Sequence, residues 1–211
     1  MNNTDNLILN GVSTCTGGKY DNVKVDGVIT VNGNITANTL KADGVIKVNG
    51  KISGGDVSIN GTCKILNDID ANNIKMNGVL NVKSNVSAEL FYMDGVLDIS
   101  GTLSAEDSTI LFRFGSHANE VVGNKIKIER GHSAIFSNIL PGIFKGKSFT
   151  ADLVEGDDIN LENCEIETVR GKTVNIGKGC NIKLVEYSDN CRTDSSSKVE
   201  QCIKTNSRGV R

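Results

Sequence analysis

Tryptophan is absent from the 211 residues, proline occurs once, and aromatic residues make up 4% of the chain. A thick globular core built on large aromatic anchors is therefore excluded. Histidine occurs twice, at His117 and His132. No apolar run approaches the roughly 18–20 residues of a membrane-spanning helix. The polar start Met1-Asn2-Asn3-Thr4-Asp5-Asn6 lacks the basic and then apolar order of a signal peptide, so a cytoplasmic location is expected. The 6 cysteines, Cys15, Cys63, Cys164, Cys180, Cys191 and Cys202, include no Cys-x2-Cys pair and match no zinc pattern. The 23 basic and 25 acidic residues are scattered, which gives nucleic acid no electrostatic footprint. No Gly-x4-Gly-Lys-Ser/Thr loop is present, and neither Gly17-Gly18-Lys19 nor Gly54-Gly55-Asp56 sits between a strand and a helix, so no nucleotide is expected. No cofactor or metal is expected either.

Glycine, by contrast, is abundant and periodic. Gly27, Gly44, Gly61, Gly78 and Gly95 recur at a step of 17 (44 − 27 = 17), and each follows Asp or Asn. Asx-Gly pairs mark tight corners or positive φ. Superimposing the five units gives apolar columns: Val23, Leu40, Val57, Ile74, Phe91; Val25, Ala42, Ile59, Met76, Met93; Ile29, Ile46, Cys63, Leu80, Leu97; Val31, Val48, Ile65, Val82, Ile99; and Ile35, Ile52, Ile69, Val86, Leu103. A small column follows at Ala37, Gly54, Ala71, Ala88 and Ala105, and a second, weaker corner lies at Gly33, Gly50, Asn67, Ser84 and Gly101.

Between corners the apolar residues alternate with Asp, Asn, Lys, Ser and Thr. Period 2 rich in Val and Ile is the signature of half-buried strands. Three short strands per unit predict an all-β, single-stranded parallel β-helix of about 17 residues per triangular coil. A single coil cannot offset the entropy of ordering its backbone, so stacking is what makes the unit stable. Cys63 stands in an Ile/Leu column and is expected in the core.

Along the chain, residues 1–6 form a polar end and residues 7–107 the regular coils. Leu7-Ile8-Leu9-Asn10-Gly11 starts a first coil one residue short, with Cys15 in the column of Val31. Residues 108–150 lose the register and hold Phe112, Phe114, Phe136, Phe144 and Phe149 together with Pro141; they are expected as an irregular insertion or distorted coils. Coils resume over 151–187, with Leu153, Val169 and Val185 spaced at 16, and Cys164 and Cys180 as stacked neighbours. Residues 188–211 are expected as a flexible polar tail.

The repeated Val-x-Val-Asp-Gly and Val-x-Val-Asn-Gly-x-Ile of Val23–Ile35 and Leu40–Ile52 resemble the bactofilins. Residues Ala151 to Asn163, Val169-Arg170-Gly171 and Ile176 to Cys180 resemble the longer Gram-positive members of that family. The resemblance implies a right-handed β-helix that polymerises end to end without nucleotide. It further implies a cytoskeletal scaffold, at the inner face of the membrane, for cell-shape, cell-envelope or motility machinery.

The expected partner is thus the protein itself, together with membrane-associated or cell-envelope proteins. Unpaired coil ends are templates for another chain, which makes Leu7 and Leu9 at one end, and Ile182, Leu184, Val185 and Tyr187 at the other, the candidate polymer interface. Val28, Val45, Val79 and Val96 directly follow corner glycines and form a candidate lateral face, interrupted by Thr62. Two other classes stay open: a hexapeptide-repeat acyltransferase, which needs about 18 residues per coil and a catalytic His, and a monomeric β-helix adaptor at the membrane. No catalytic residue is assigned, because His117 and His132 lie outside the regular coils and are expected at the surface or in loops.

Overall fold

The computed structural model describes residues 6–131 and 147–206. The expectations for His132, Phe136, Pro141 and Phe144 lie outside the described residues. Within them the fold is one parallel sheet wound into a solenoid, its strands neighbouring one another in chain order. These are β1 (Leu7–Val48), β2 (Ile52–Ile65), β3 (Ile69–Val82), β4 (Val86–Phe112), β5 (Ser116–Arg130), β6 (Phe149–Leu161), β7 (Cys164–Ile176), β8 (Asn181–Thr193) and β9 (Lys198–Lys204). Each extended run bends round corners without losing its pairing: β2 passes through Gly61 while matching Gly44 below and Gly78 above.

The regular coils have the expected columns. Ile35 pairs with Ile52, Ile52 with Ile69 and Ile69 with Val86, a step of 17 throughout (52 − 35 = 17). Alternation sends these side chains inward, where the core is a string of stacked aliphatics sealed from solvent, and Cys63 lies in it fully buried. Burial pushes the Cys63 thiol up to about 12, which makes it inert.

The corner glycines satisfy two demands at once. Gly61 has φ +129°, and a Cβ there would lie 2.0 Å from the Gly44 carbonyl oxygen. Only a residue without Cβ both adopts that conformation and permits the approach of the coil below. At the second corner, side-chain oxygens accept from the next coil's backbone: Asn34 from Lys51 N at 2.9 Å, Asp68 from Asn85 N at 3.1 Å and Asn85 from Thr102 N at 2.9 Å.

Three expectations are corrected or narrowed. Residues 108–131 continue the sheet in β4 and β5, in a coil distorted to more than 17 residues rather than in an irregular insertion. The periodicity was hidden because the pairing shifts between Ile99 and Thr102, so the step becomes 19 (117 − 98) and then 18 (120 − 102). In this wider turn Ser116 and Ala118 follow Leu97 and Ile99 in the inward columns. Phe149 lies in register with Ser116, and its ring centroid is 6.1 Å from that of Phe112, both rings being fully buried. From β5 to β6 the step is 33 (154 − 121).

In the C-terminal coils, Val154 rather than Leu153 is the partner of Val169, at a step of 15 (169 − 154). Val154 is buried and Leu153 only half so. The expected tail is not a tail as far as residue 204: β8 runs on to Thr193 and β9 pairs with it in parallel. The polar composition misled because this last strand is mostly exposed.

His117 takes the surface alternative rather than the loop: it lies half-buried on β5, paired with Thr150, beyond the regular 17-residue coils.

Candidate functional site

The residue after each corner glycine takes the outward phase of the alternation. Val28 and Val45 are 48% and 42% exposed, Val79 and Val96 are half-buried, and Thr62 is exposed between them, all in one column. Val12, 86% exposed, extends this ribbon, because Gly11 lies directly beneath Gly27. The reading missed Val12 although the repeated Gly-Val pair signalled it. Along one edge of the ribbon, Asp43, Asn60 and Asn77 form a hydrogen-bonded ladder with 2.8 Å rungs.

At the N-terminal end, Leu7 and Leu9 pack half-buried against the core. The Asn22 amide donates to Asn6 Oδ1 at 2.9 Å, which ties this coil to the next. Among the described residues, no strand pairs with its outer edge. The other predicted end needs correction. Ile182 and Val185 are fully buried, and Leu184 and Tyr187 half-buried, because β9 lies over them: Val199 covers Ile182, Gln201 covers Leu184, Cys202 covers Val185 and Lys204 covers Tyr187. The sheet's outer edge at this end is β9, with Ile203 45% exposed among Lys198, Glu200 and Lys204.

On the side where the coil widens, a shallow groove of about 370 Å³ is lined by Val96, Asp98, Ser116, His117, Thr150 and Glu165 among others. His117 Nε2 is 2.9 Å from Asn119 Oδ1. The Asn119 amide donates to the Ser100 carbonyl at 2.6 Å, which fixes Oδ1 as the acceptor and places a proton on Nε2. His117 Nδ1 then faces the Thr150 hydroxyl at 3.0 Å, a shorter contact than the 3.4 Å from that hydroxyl to the Ser116 carbonyl. Both ring nitrogens are thus engaged within the fold. Among the described residues no group of three or more His, Cys, Asp or Glu side chains is placed to hold a metal ion.

No family model matches the chain. No solved structure matches it. Two proteins of Bacillus subtilis (strain 168) are similar over part of their length. Uncharacterized protein YhbF is 40% identical over 89 residues, 42% of this chain and 35% of the relative. Uncharacterized protein YhbE is 49% identical over 55 residues, 26% of this chain and 23% of the relative. The matched stretch therefore spans about a third of YhbF and about a quarter of YhbE.

In the C-terminal coils, Cys164 and Cys180 do face one another across one coil, as their spacing suggested, and both are buried free thiols. The Cys164 Sγ donates to the Glu162 carbonyl at 3.2 Å. Burial raises the Cys164 thiol, the neighbouring Cys180 adding to the effect, which leaves it protonated and unreactive. Cys191 and Cys202, which the sequence reading passed over, are instead close together near the surface of the last coil.

Proposed function

We propose that the protein is a polymer-forming structural scaffold of the bactofilin kind, assembling end to end without nucleotide and organising cell-envelope, cell-shape or motility machinery. The observation that carries this reading is that the sheet stops at two unpaired parallel edges among the described residues, the first coil with Leu7 and Leu9, and β9. An open edge of backbone donors and acceptors is a template for another chain. A contact between unlike ends repeats into a filament unless its geometry closes it. Burial and backbone pairing provide the driving force, so nucleotide has no role to play.

The engagement of both His117 nitrogens weighs against the acyltransferase alternative, which needs a free base. The exposed valine ribbon is the surface on which filaments would associate sideways.

Negative-stain microscopy of the purified protein tests the reading. Filaments are expected for the wild type, and separate folded particles for Leu7→Asp combined with Leu9→Asp, because two carboxylates would be buried unpaired at the junction. Far-ultraviolet circular dichroism must show the β-sheet unchanged. Filaments of that double variant at the wild-type threshold concentration would exclude the first coil as a junction, and a wild type that stays monomeric at every concentration would sink the proposal.

A further inference from the structure

Cys202 lies in register over Val185 and Cys191 over Val174, so the two thiols reach the last coil from different sides of the triangle. Their Sγ atoms are 3.6 Å apart. A disulfide needs about 2.05 Å, so an approach of about 1.5 Å would close the bond. Cys202 is exposed and Cys191 half-buried, within reach of a small solute. Cys63, Cys164 and Cys180 are buried and unreachable, and Cys15 lies in the first coil.

The strand that Cys202 belongs to is weakly held. β9 has seven residues, and only Val199 among its side chains packs against the core. At its margins the Lys198 amide donates to the Cys180 carbonyl and the Thr205 amide to the Tyr187 carbonyl, each at 2.8 Å. A covalent link from Cys202 to Cys191 would pin this strand at mid-length.

We propose that Cys191 and Cys202 form an oxidation site that takes a low-molecular-weight disulfide as co-substrate and staples β9 across the end of the solenoid. The exposed Cys202 reacts first. It loses its proton and attacks one sulfur of R–S–S–R, forming Cys202–S–S–R and releasing one thiolate, which takes up the proton as RSH. Cys191 then loses its proton and attacks the Cys202 sulfur, expelling the second RS⁻, which is protonated in turn. Two protein thiols are oxidised by two electrons and one small disulfide is reduced to two thiols. Burial and the neighbouring thiol push Cys191 up to about 11, consistent with its acting second.

The test uses the full chain, reduced and then incubated with oxidised glutathione, with remaining thiols alkylated and the digest read by mass spectrometry without reduction. A peptide pair linked through Cys191 and Cys202 is expected. Cys191→Ser should stop at a mixed disulfide on Cys202 that dithiothreitol removes, and Cys202→Ser should take up no glutathione in this coil. Hydrogen exchange of the Val199–Lys204 amides should slow about a hundredfold on oxidation, the closure effect of a loop of this length, and should not slow in Cys191→Ser. A wild type that stops at the mixed disulfide, links Cys202 to Cys15, or shows unchanged exchange at β9 once the bond has formed would overturn the proposal.

Discussion

Replacing Gly61 by alanine should damage this fold more than its chemistry suggests. Two separate costs arise at that position. The first is conformational, since φ is +129° and an L side chain held there is strained by about 1–3 kcal/mol. The second is contact, since the new Cβ would sit 2.0 Å from the Gly44 carbonyl oxygen. Relief requires the two coils to part at that corner, weakening two or three interstrand hydrogen bonds at about 1 kcal/mol each. The sum is about 3–6 kcal/mol. Gly33→Ala separates the two costs, because its φ is +112° while the nearest atom to an added Cβ is Gly17 N at 3.7 Å, an ordinary contact. That variant should lose only the conformational part. Urea unfolding followed by circular dichroism measures both, and Gly61→Ala should fall below Gly33→Ala by about 2–3 kcal/mol. Equal losses would refute the claim that stacked carbonyls, rather than φ alone, demand glycine at the corners.

Two further outcomes follow from the side chains that tie neighbouring coils together. Arg113 grips Asp94 with two bonds of 2.7 Å, from Nε and Nη2, with both side chains about one-fifth exposed. Arg113→Ala should cost about 1–2 kcal/mol and Arg113→Lys somewhat less, the gap to wild type narrowing in 1 M salt; no change in the urea midpoint would show the pair to be idle. Asp68 is held below its ordinary carboxylate value by the Ser84 hydroxyl and then by the Asn85 amide. Because its folded value is the lower one, its stabilisation is complete above the unfolded value and is lost as the pH falls through the folded one. Asp68→Asn should therefore flatten the acid limb of stability measured between pH 5 and pH 2, and an unaltered slope would count against the assignment.

The regular coils could be read from the sequence because a constant step turns three-dimensional neighbours into an arithmetic series. Ile35, Ile52 and Ile69 are paired in the fold as they are aligned on paper. Where the step changes, the method fails in definite ways. The shift between Ile99 and Thr102 moved the phase by two residues, then one, which took β5 out of the column series and left His117 as a surface or loop residue outside it. Shortening to 15 residues made Leu153 look like the partner of Val169, although its neighbour Val154 faces inward. β9 escaped because composition was the only guide there: Lys198, Glu200, Gln201 and Lys204 read as solvated chain, and only the pairing of its backbone with β8 reveals a strand. The Cys191–Cys202 contact was hidden by geometry, since an eleven-residue separation corresponds to no column when the two residues occupy different sides of the coil.

The stacking direction has a mechanical meaning. Backbone hydrogen bonds between coils run along the long axis, so a pull along that axis loads every coil interface in series, and within each interface all the bonds share the load. Such an arrangement yields at its weakest interface and leaves the others closed. Among the junctions between separate strands, that of β8 with β9, seven residues against thirteen, has the least paired backbone. Under tension it would let go before the longer pairings from β2 to β8, so that end would lose its last turn while the coils behind it stayed closed.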